Sequence, residues 1–464
     1  MKLCVIGGAG ARSAFLTKSL VKSAREIRVD HIVLLDNNEE HLRTYGQISK
    51  ELARRMEPSL TFDITSDARG ALTGADYIIT TIRAGGDAGR LFDEKTCLAH
   101  GVLGQETTGA GGFAMAIRSV PTLVYYCTLA REVSNPGHLI FNFTNPSGII
   151  TQALRSCGFA NVYGICDAPS GFIKQLEEIL NVPYGALDIE CYGLNHLSWF
   201  RNAKLDGRDV QEELLNNPRT YQHSEMRLFT REMARLSGEC MLNEYLYFYY
   251  RREKSLSMVQ KAEHPRGEMI YLINRELETQ LAQMELPRDF EKAFNLYMNA
   301  YGKRENAFFS VGSGARREKV WNPPTVEEFL AEPDEGGYAA VALRFIRAIT
   351  DGEDCRMVLS VPNEGAIDGL EDDDVVEITC DIHSDGAHPI HIGVIDEFQL
   401  QQIKRLKYFE RCTIQAILHD DRDSAVKGLA LHPLVNDFEL AETLSGIFFK
   451  EYASFIHMNE APGQ

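Results

Sequence analysis

The chain of 464 residues predicts an α/β fold: an amino-terminal doubly wound domain followed by a mixed α+β domain. Three observations predict it. Short apolar runs alternate with amphipathic helical stretches through the first 190 residues or so. Those runs are continuously apolar, as strands buried on both faces of a parallel sheet must be. A glycine turn joins the first run directly to the first helical stretch. The length fits two or three domains at about 150 residues each, and a chain this long needs no staples to hold its core.

The elements follow in order. Residues 2–6 form a β-prone run that ends in glycines. Residues 11–25 read as helix, and 31–35 (HIVLL) as a second buried strand. Residues 39–55 form a charged amphipathic helix. Further strands are expected at 76–81, 138–143 and 161–165, with helices at 120–132 and 172–180. The second half is less regular: 223–310 is helix-rich, with a periodic stretch at 268–284. Residues 355–400 hold short strands separated by Asn, Gly and Asp turns, and 397–457 returns to helix. The acidic run 371–374 reads as a solvated turn, and no internal repeat is seen. The expected division is 1–190 and 191–464, with a ligand between them at the carboxyl ends of the parallel strands.

Charge narrows the partners. The chain has 48 Lys and Arg against 66 Asp and Glu, a formal net charge of −18. Nucleic acid and anionic membrane both need clustered cations, so neither is expected as a partner. An anionic ligand would have to be held by local cations against the field of the chain. The ten cysteines are scattered, with no CxxC pair, which fits a reducing compartment. The start, MKLCVIGGAG, does not read as a secretory signal. No stretch reads as the roughly 20 apolar residues of a membrane span. The expectation is a cytoplasmic protein.

Four motifs carry chemistry. The first is residues 5–13, VIGGAGARS, where Gly7, Gly8 and Gly10 follow a strand and open a helix. Such glycines let a pyrophosphate approach the helix N-terminus, and Ser13 stands at the third glycine position. Asp36 ends the second strand, near the spacing at which an acid binds an adenosine ribose. Together these point to a Rossmann-like dinucleotide site, although a purely structural glycine turn would look similar. The second motif is 81–118, with glycines at 85, 86, 89, 101, 104, 109, 111 and 112 among Arg83, Arg90, Asp93, Glu94 and Glu106. It reads as a ligand-facing loop. Arg83 and Arg90 there are candidate anion or hydroxyl ligands, or else surface ion pairs.

The third motif comprises NFTNPSG (142–148), ICDAP (165–169) and GLNHL (193–197), each at the end of a β-prone run. Cys166 and His196 would make an open two-ligand metal site. From the residues alone, a buried thiol and a hydrogen-bonded core imidazole are the commoner outcome. The fourth is the tyrosine-rich run 243–252, most often helix core. A tyrosine there could act as a base only with a perturbed pKa. Arg266 beyond it is a lone cation with both a functional and a bland reading.

Taken in order, these pieces resemble the family 4 glycoside hydrolases. The resemblance runs from the glycine turn through IRAGG, GQETTGAGG, TNPSG, CDAP and GLNH to GGYAAVAL (336–343) and ALHPLV (430–435). It implies an NAD- and divalent-metal-dependent glycosidase, with a fold like that of the lactate and malate dehydrogenases. The reaction implied is C3 oxidation, C2 deprotonation and elimination, outside the two-carboxylate scheme. By the resemblance, Cys166 and His196 hold the metal, expected to be manganese, and Tyr245 removes the C2 proton. Asp167 is the candidate acid for the leaving oxygen. Arg90, Asn145 and Arg266 contact substrate, and Gly7, Gly8, Gly10, Asp36 and Glu106 fall on the cofactor side.

The GQETTG stretch resembles members acting on 6-phosphorylated sugars. The pattern around GLNHLSW and YLYFYY leans to the β-anomer, whereas Asp167 resembles α-acting members. A homodimer or homotetramer is implied. The rival readings are a 6-phospho-α-glucosidase, a hydrolase of unphosphorylated glycosides, an NAD-dependent 2-hydroxy acid dehydrogenase and a nucleotide-sensing protein without turnover.

Overall fold

The structure is a computed structural model, and its described residues are 1–307, 310–314, 321–334 and 339–456. The sheet grows from six parallel strands: β1 (Lys2–Ile6), β2 (His31–Leu35), β3 (Thr61–Thr65), β4 (Tyr77–Thr80), β5 (Leu139–Asn142) and β6 (Val162–Gly164). Alternation along the strands divides the interior. Leu3, Val5, Ile32 and Leu34 point to one face and join a core with Leu16 and Leu20 of helix Ser13–Ser23. Cys4, Ile6, Val33 and Leu35 point to the other and pack with Phe113, Ile117 and Val120 of helix Gly109–Val133. This two-sided burial is why the strands read as unbroken apolar runs.

The sheet does not stop at β6. Strands β11 (Cys355–Pro362), β12 (Val375–His383) and β13 (Gly386–Pro389), from the second half of the chain, extend it antiparallel. The full order is β13-β12-β11-β6-β5-β4-β1-β2-β3. A second, antiparallel sheet consists of β7 (Leu187–Leu194), β8 (Leu197–Leu205), β9 (Arg208–Asp209) and β10 (Met241–Leu242). Within the first sheet β1 lies between β2 and β4, so the chain reverses direction across the sheet there. The crevice beyond this point, at the strands' carboxyl ends, is where α/β sheets bind ligands.

Several expectations need correction. The stretch 81–118 is not one ligand-facing loop: most of it is helix, Gly86–Ala99 and the start of Gly109–Val133. Several of its glycines answer to close packing. A Cβ on Gly111 would lie 2.5 Å from the Gln105 carbonyl oxygen, and one on Gly104 would lie 2.5 Å from Glu94 Cα. The expected helix 120–132 therefore begins eleven residues earlier. Asp93 is structural: both its oxygens take bonds from the fully buried Arg118, at 3.0 and 2.7 Å.

Strand β3 and the short helix Ala68–Leu72 were not expected, and β13 ends at Pro389. In the acidic run, Asp374 is buried and bonded by Arg411. Residues 336–338 of GGYAAVAL lie outside the described residues. Among the described residues, helix Gly109–Val133 alone has the length and apolarity of a membrane span, at 25 residues with an 18-residue window of mean hydropathy 1.2; most of that window is buried in the core.

Candidate functional site

One cavity of about 1010 Å³ opens at the carboxyl ends of the parallel strands. All twelve expected site residues line it: Gly7, Gly8, Gly10, Asp36, Arg90, Glu106, Asn145, Cys166, Asp167, His196, Tyr245 and Arg266. Residues distant in sequence meet because the loops after β1, β4, β5 and β6 share one rim. The β7–β8 turn and helix Arg266–Leu281 close the far side.

At the first end the chain turns at Gly7, whose φ of +80° suits glycine. A Cβ there would also strike Ile82 Cα at 2.8 Å, so Gly7 is needed by the fold. Gly10 differs. A Cβ on it meets no protein atom closer than the Gly7 carbonyl oxygen at 4.0 Å, so its bareness leaves space in the cavity itself. Ser13 Oγ and Thr107 Oγ1, on residues that also line the cavity, are buried with no hydrogen-bond partner among the described residues. Asp36 accepts from the Ala9 and Asn38 amides, at 3.2 and 3.0 Å, which ties the second strand to the glycine turn.

Cations gather in the middle. Arg83 pairs with Asp87 at 2.6 Å, and Arg90 Nε lies 3.0 Å from Glu106. Glu94 accepts from the Gly267 and Glu268 amides at the N-terminus of helix Arg266–Leu281, at 2.7 and 3.2 Å. That bond sets Arg266 against the cavity, where its guanidinium donates to the Arg304 carbonyl at 2.8 Å. Burial pushes Arg266 down to about 9, and the positive charges of Arg90 and Arg304 add to the effect. Arginines crowded enough to disfavour one another make a place for an anion. Sequence reading missed Arg304 and Asp87; each sits in an ordinary charged helical pattern with nothing to mark it.

At the far end Cys166 Sγ lies 3.8 Å from His196 Nε2. Cys166 follows β6, and His196 occupies the two-residue β7–β8 turn at φ +65°. Burial pushes the His196 imidazole down to about 3, so it is neutral at ordinary pH. Its Nδ1 is buried with no partner among the described residues. The Tyr245 ring stacks on it, centroids 3.7 Å apart and planes 13° apart. Burial, with Glu244 next, holds the Tyr245 phenol well above its usual range, and burial raises the Cys166 thiol likewise.

A neutral imidazole beside a cysteine sulfur is a donor set for a divalent metal. Among the described residues no third His, Cys, Asp or Glu completes a cluster, so such a site would keep open positions for substrate. Asp167 is exposed beside Cys166. Buried Glu225 and Glu244 line the same wall, and the Glu244 amide donates to Glu225 at 2.9 Å. Glu225 had no sequence signal.

The chain is similar to known proteins over most of its length. The model of the family 4 glycosyl hydrolases matches residues 2–182, and that of the family 4 glycosyl hydrolase C-terminal domain matches 191–435. The chain is 29% identical to a 6-phospho-beta-glucosidase of Thermotoga maritima over 96% of each chain. It is 28% identical to a 6-phospho-beta-glucosidase of Escherichia coli over 96% of this chain and 94% of that one. It is 26% identical to a phospho-alpha-glucosidase of Clostridium acetobutylicum over 95% of each. A structure of the Thermotoga maritima enzyme with manganese, NAD+ and glucose-6-phosphate superposes with TM-score 0.78 at 28% identity, covering 98% of this chain and 99% of that one. A malate dehydrogenase of Salinibacter ruber shares the fold, with TM-score 0.51 at 14% identity over 90% of this chain and 99% of that one.

Proposed function

The chain belongs to family 4 of the glycosyl hydrolases, and from that premise we propose that it hydrolyses the O-glycosidic bond of 6-phospho-glucosides, with the β-anomer preferred. The observation that carries this reading is the convergence, in one cavity, of the glycine turn, the arginine cluster and the Cys166–His196 pair beneath Tyr245. The relatives named above act on 6-phospho-β-glucosides or phospho-α-glucosides. Asp167 is the observation that favours the α-anomer.

The residues present fit NAD and a divalent metal, manganese in the similar structure. The space at Gly10 and the unpartnered Ser13 Oγ suit a pyrophosphate, with Asp36 and Glu106 on the same side. Cys166 and His196 would hold the metal. When bound, NAD would supply reversible hydride transfer at sugar C3, and the metal would supply positive charge to the site.

The rest falls to the chain. Arg90, Arg266 and Asn145 hold and orient the phosphorylated sugar. As its phenolate, a form that a cation held by Cys166 and His196 would favour against the effect of burial, Tyr245 takes the C2 proton, and its stack on His196 fixes the phenol beside the Cys166–His196 pair. Asp167 gives a proton to the departing oxygen at C1. Water then adds at C1, Tyr245 returns a proton to C2, and the net change is hydrolysis without oxidation. On this reading residues 1–190 serve chiefly the cofactor and 191–464 the substrate. We place the protein in the cytoplasm, as ten free cysteines suggest, and infer a homodimer or homotetramer, to be tested by light scattering.

The test is turnover of nitrophenyl 6-phospho-β- and α-glucosides with NAD and manganese each supplied or withheld. Faster β-cleavage that needs both additions is expected. Cleavage indifferent to both would overturn the reading, and faster α-cleavage would transfer it to the other anomer.

A further inference from the structure

Glu377 lies on β12 at 2% exposure, and nothing in the proposed reaction uses it. Its carboxylate spans the β7–β8 turn. Oε1 accepts from Asn195 Nδ2 and Oε2 from Ser198 Oγ, each at 2.9 Å. Those two residues bracket the His196 segment. One buried carboxylate therefore holds both flanks of the turn whose imidazole faces Cys166 at 3.8 Å.

The His196 ring lacks the usual means of orientation. A metal-bound histidine normally gives its second ring nitrogen to a carboxylate or carbonyl, which fixes the ring. Here Nδ1 has no partner among the described residues. The ring's direction is left to its backbone and to the Tyr245 stack. That backbone is in the left-handed region, φ +65°, where a side-chain-bearing residue stays only if its surroundings hold it. The bonds from Glu377 to Asn195 and Ser198 are such a hold.

We propose that Glu377 is a positioning residue: by bridging Asn195 and Ser198 it fixes the His196 turn in the arrangement that, with Cys166, takes a divalent metal. This rests on the reading of Cys166 and His196 as the metal ligands. It assigns to β12, a strand of the carboxyl-terminal half, the task of holding a ligand of the second sheet opposite the one that follows β6.

The test is Mn2+ binding to the chelator-stripped full-length protein, read from the free-ion paramagnetic resonance signal, with NAD binding measured by calorimetry as the control for folding. E377A is expected to weaken Mn2+ binding about 10- to 100-fold and to leave NAD binding unchanged. E377Q should stay within a few-fold of wild type, because its amide can accept from Asn195 and donate to Ser198. C166S should lose the site.

If C166S binds Mn2+ like wild type, the ligand reading falls and this inference with it. If C166S loses binding while E377A keeps wild-type affinity, the role of Glu377 alone is refuted. E377Q as weak as E377A would also refute it, since the bridge would then not act through its hydrogen bonds. Should E377A fail to fold, S198A removes one arm of the bridge; it should weaken Mn2+ binding several-fold, and unchanged affinity would overturn the proposal.

Discussion

Cys166 Sγ and His196 Nε2 lie 3.8 Å apart although their residues come from different sheets. On the proposed reading, a thiol and a neutral imidazole facing each other at the end of a cavity are the ligands of one divalent metal. C166S is therefore expected to lower turnover of the 6-phospho-glucoside at least 100-fold while NAD affinity holds. Steady-state rates and calorimetry check the two halves separately.

The arginine cluster makes a second prediction. Arg90 and Arg304 both disfavour the charge on Arg266, so a bound dianion would relieve repulsion as well as gain hydrogen bonds. Hydrogen bonds to charged groups contribute about 1.5–3 kcal/mol. R266A should raise KM for the 6-phosphorylated substrate by roughly 10- to 100-fold. Slow cleavage of the unphosphorylated analogue should be unaffected. Equal losses on both substrates would place Arg266 away from the phosphate.

The glycine turn separates fold from ligand. G7A puts a Cβ 2.8 Å from Ile82 Cα at φ +80°, and should lower stability by about 1–3 kcal/mol. G10A meets nothing nearer than 4.0 Å, so its melting temperature should stay near wild type. NAD affinity should nonetheless fall at least about tenfold, because the new methyl occupies the space meant for the pyrophosphate. Thermal melts and NAD titration of the two variants decide it.

Much of this was legible in the sequence for a physical reason. Parallel strands bury both faces, so β1, β2, β4 and β5 stood out as apolar runs, and the residues just after them collect at one rim. The stretch 81–118 misled because glycine usually marks a loop. Here Gly104 and Gly111 are bare so that backbone can approach backbone. Glu377 could not be read at all. In DVVEITC it looks like the polar residue of a half-exposed strand, and only the neighbouring second sheet turns it into a buried bridge.

Stability should depend on pH through buried imidazoles. Burial pushes His432 down to about 3, against an ordinary 6.5. The Leu434 amide donates to its Nδ1 at 3.1 Å, and Nε2 faces Thr108 Oγ1 at 3.2 Å. Between pH 6.5 and 3 the unfolded chain binds the proton that the folded chain refuses. The stability contribution is thus complete above 6.5 and lost as pH falls towards 3. Acidifying from pH 7 to 5 should cost about 2 kcal/mol through this group. Urea unfolding at the two pH values should show a smaller difference in H432Q, even though that variant is less stable at both.

The central claim is that the chain breaks the glycosidic bond by removing the C2 proton with Tyr245, whose ring lies 3.7 Å from that of His196. The most direct measurement follows a 6-phospho-glucoside deuterated at C2, hydrolysed in ordinary water with NAD and manganese present. The account predicts that the glucose-6-phosphate formed has exchanged its C2 deuterium for solvent hydrogen, and that Y245F suppresses turnover and exchange together. Product that keeps its C2 deuterium through full turnover would contradict it.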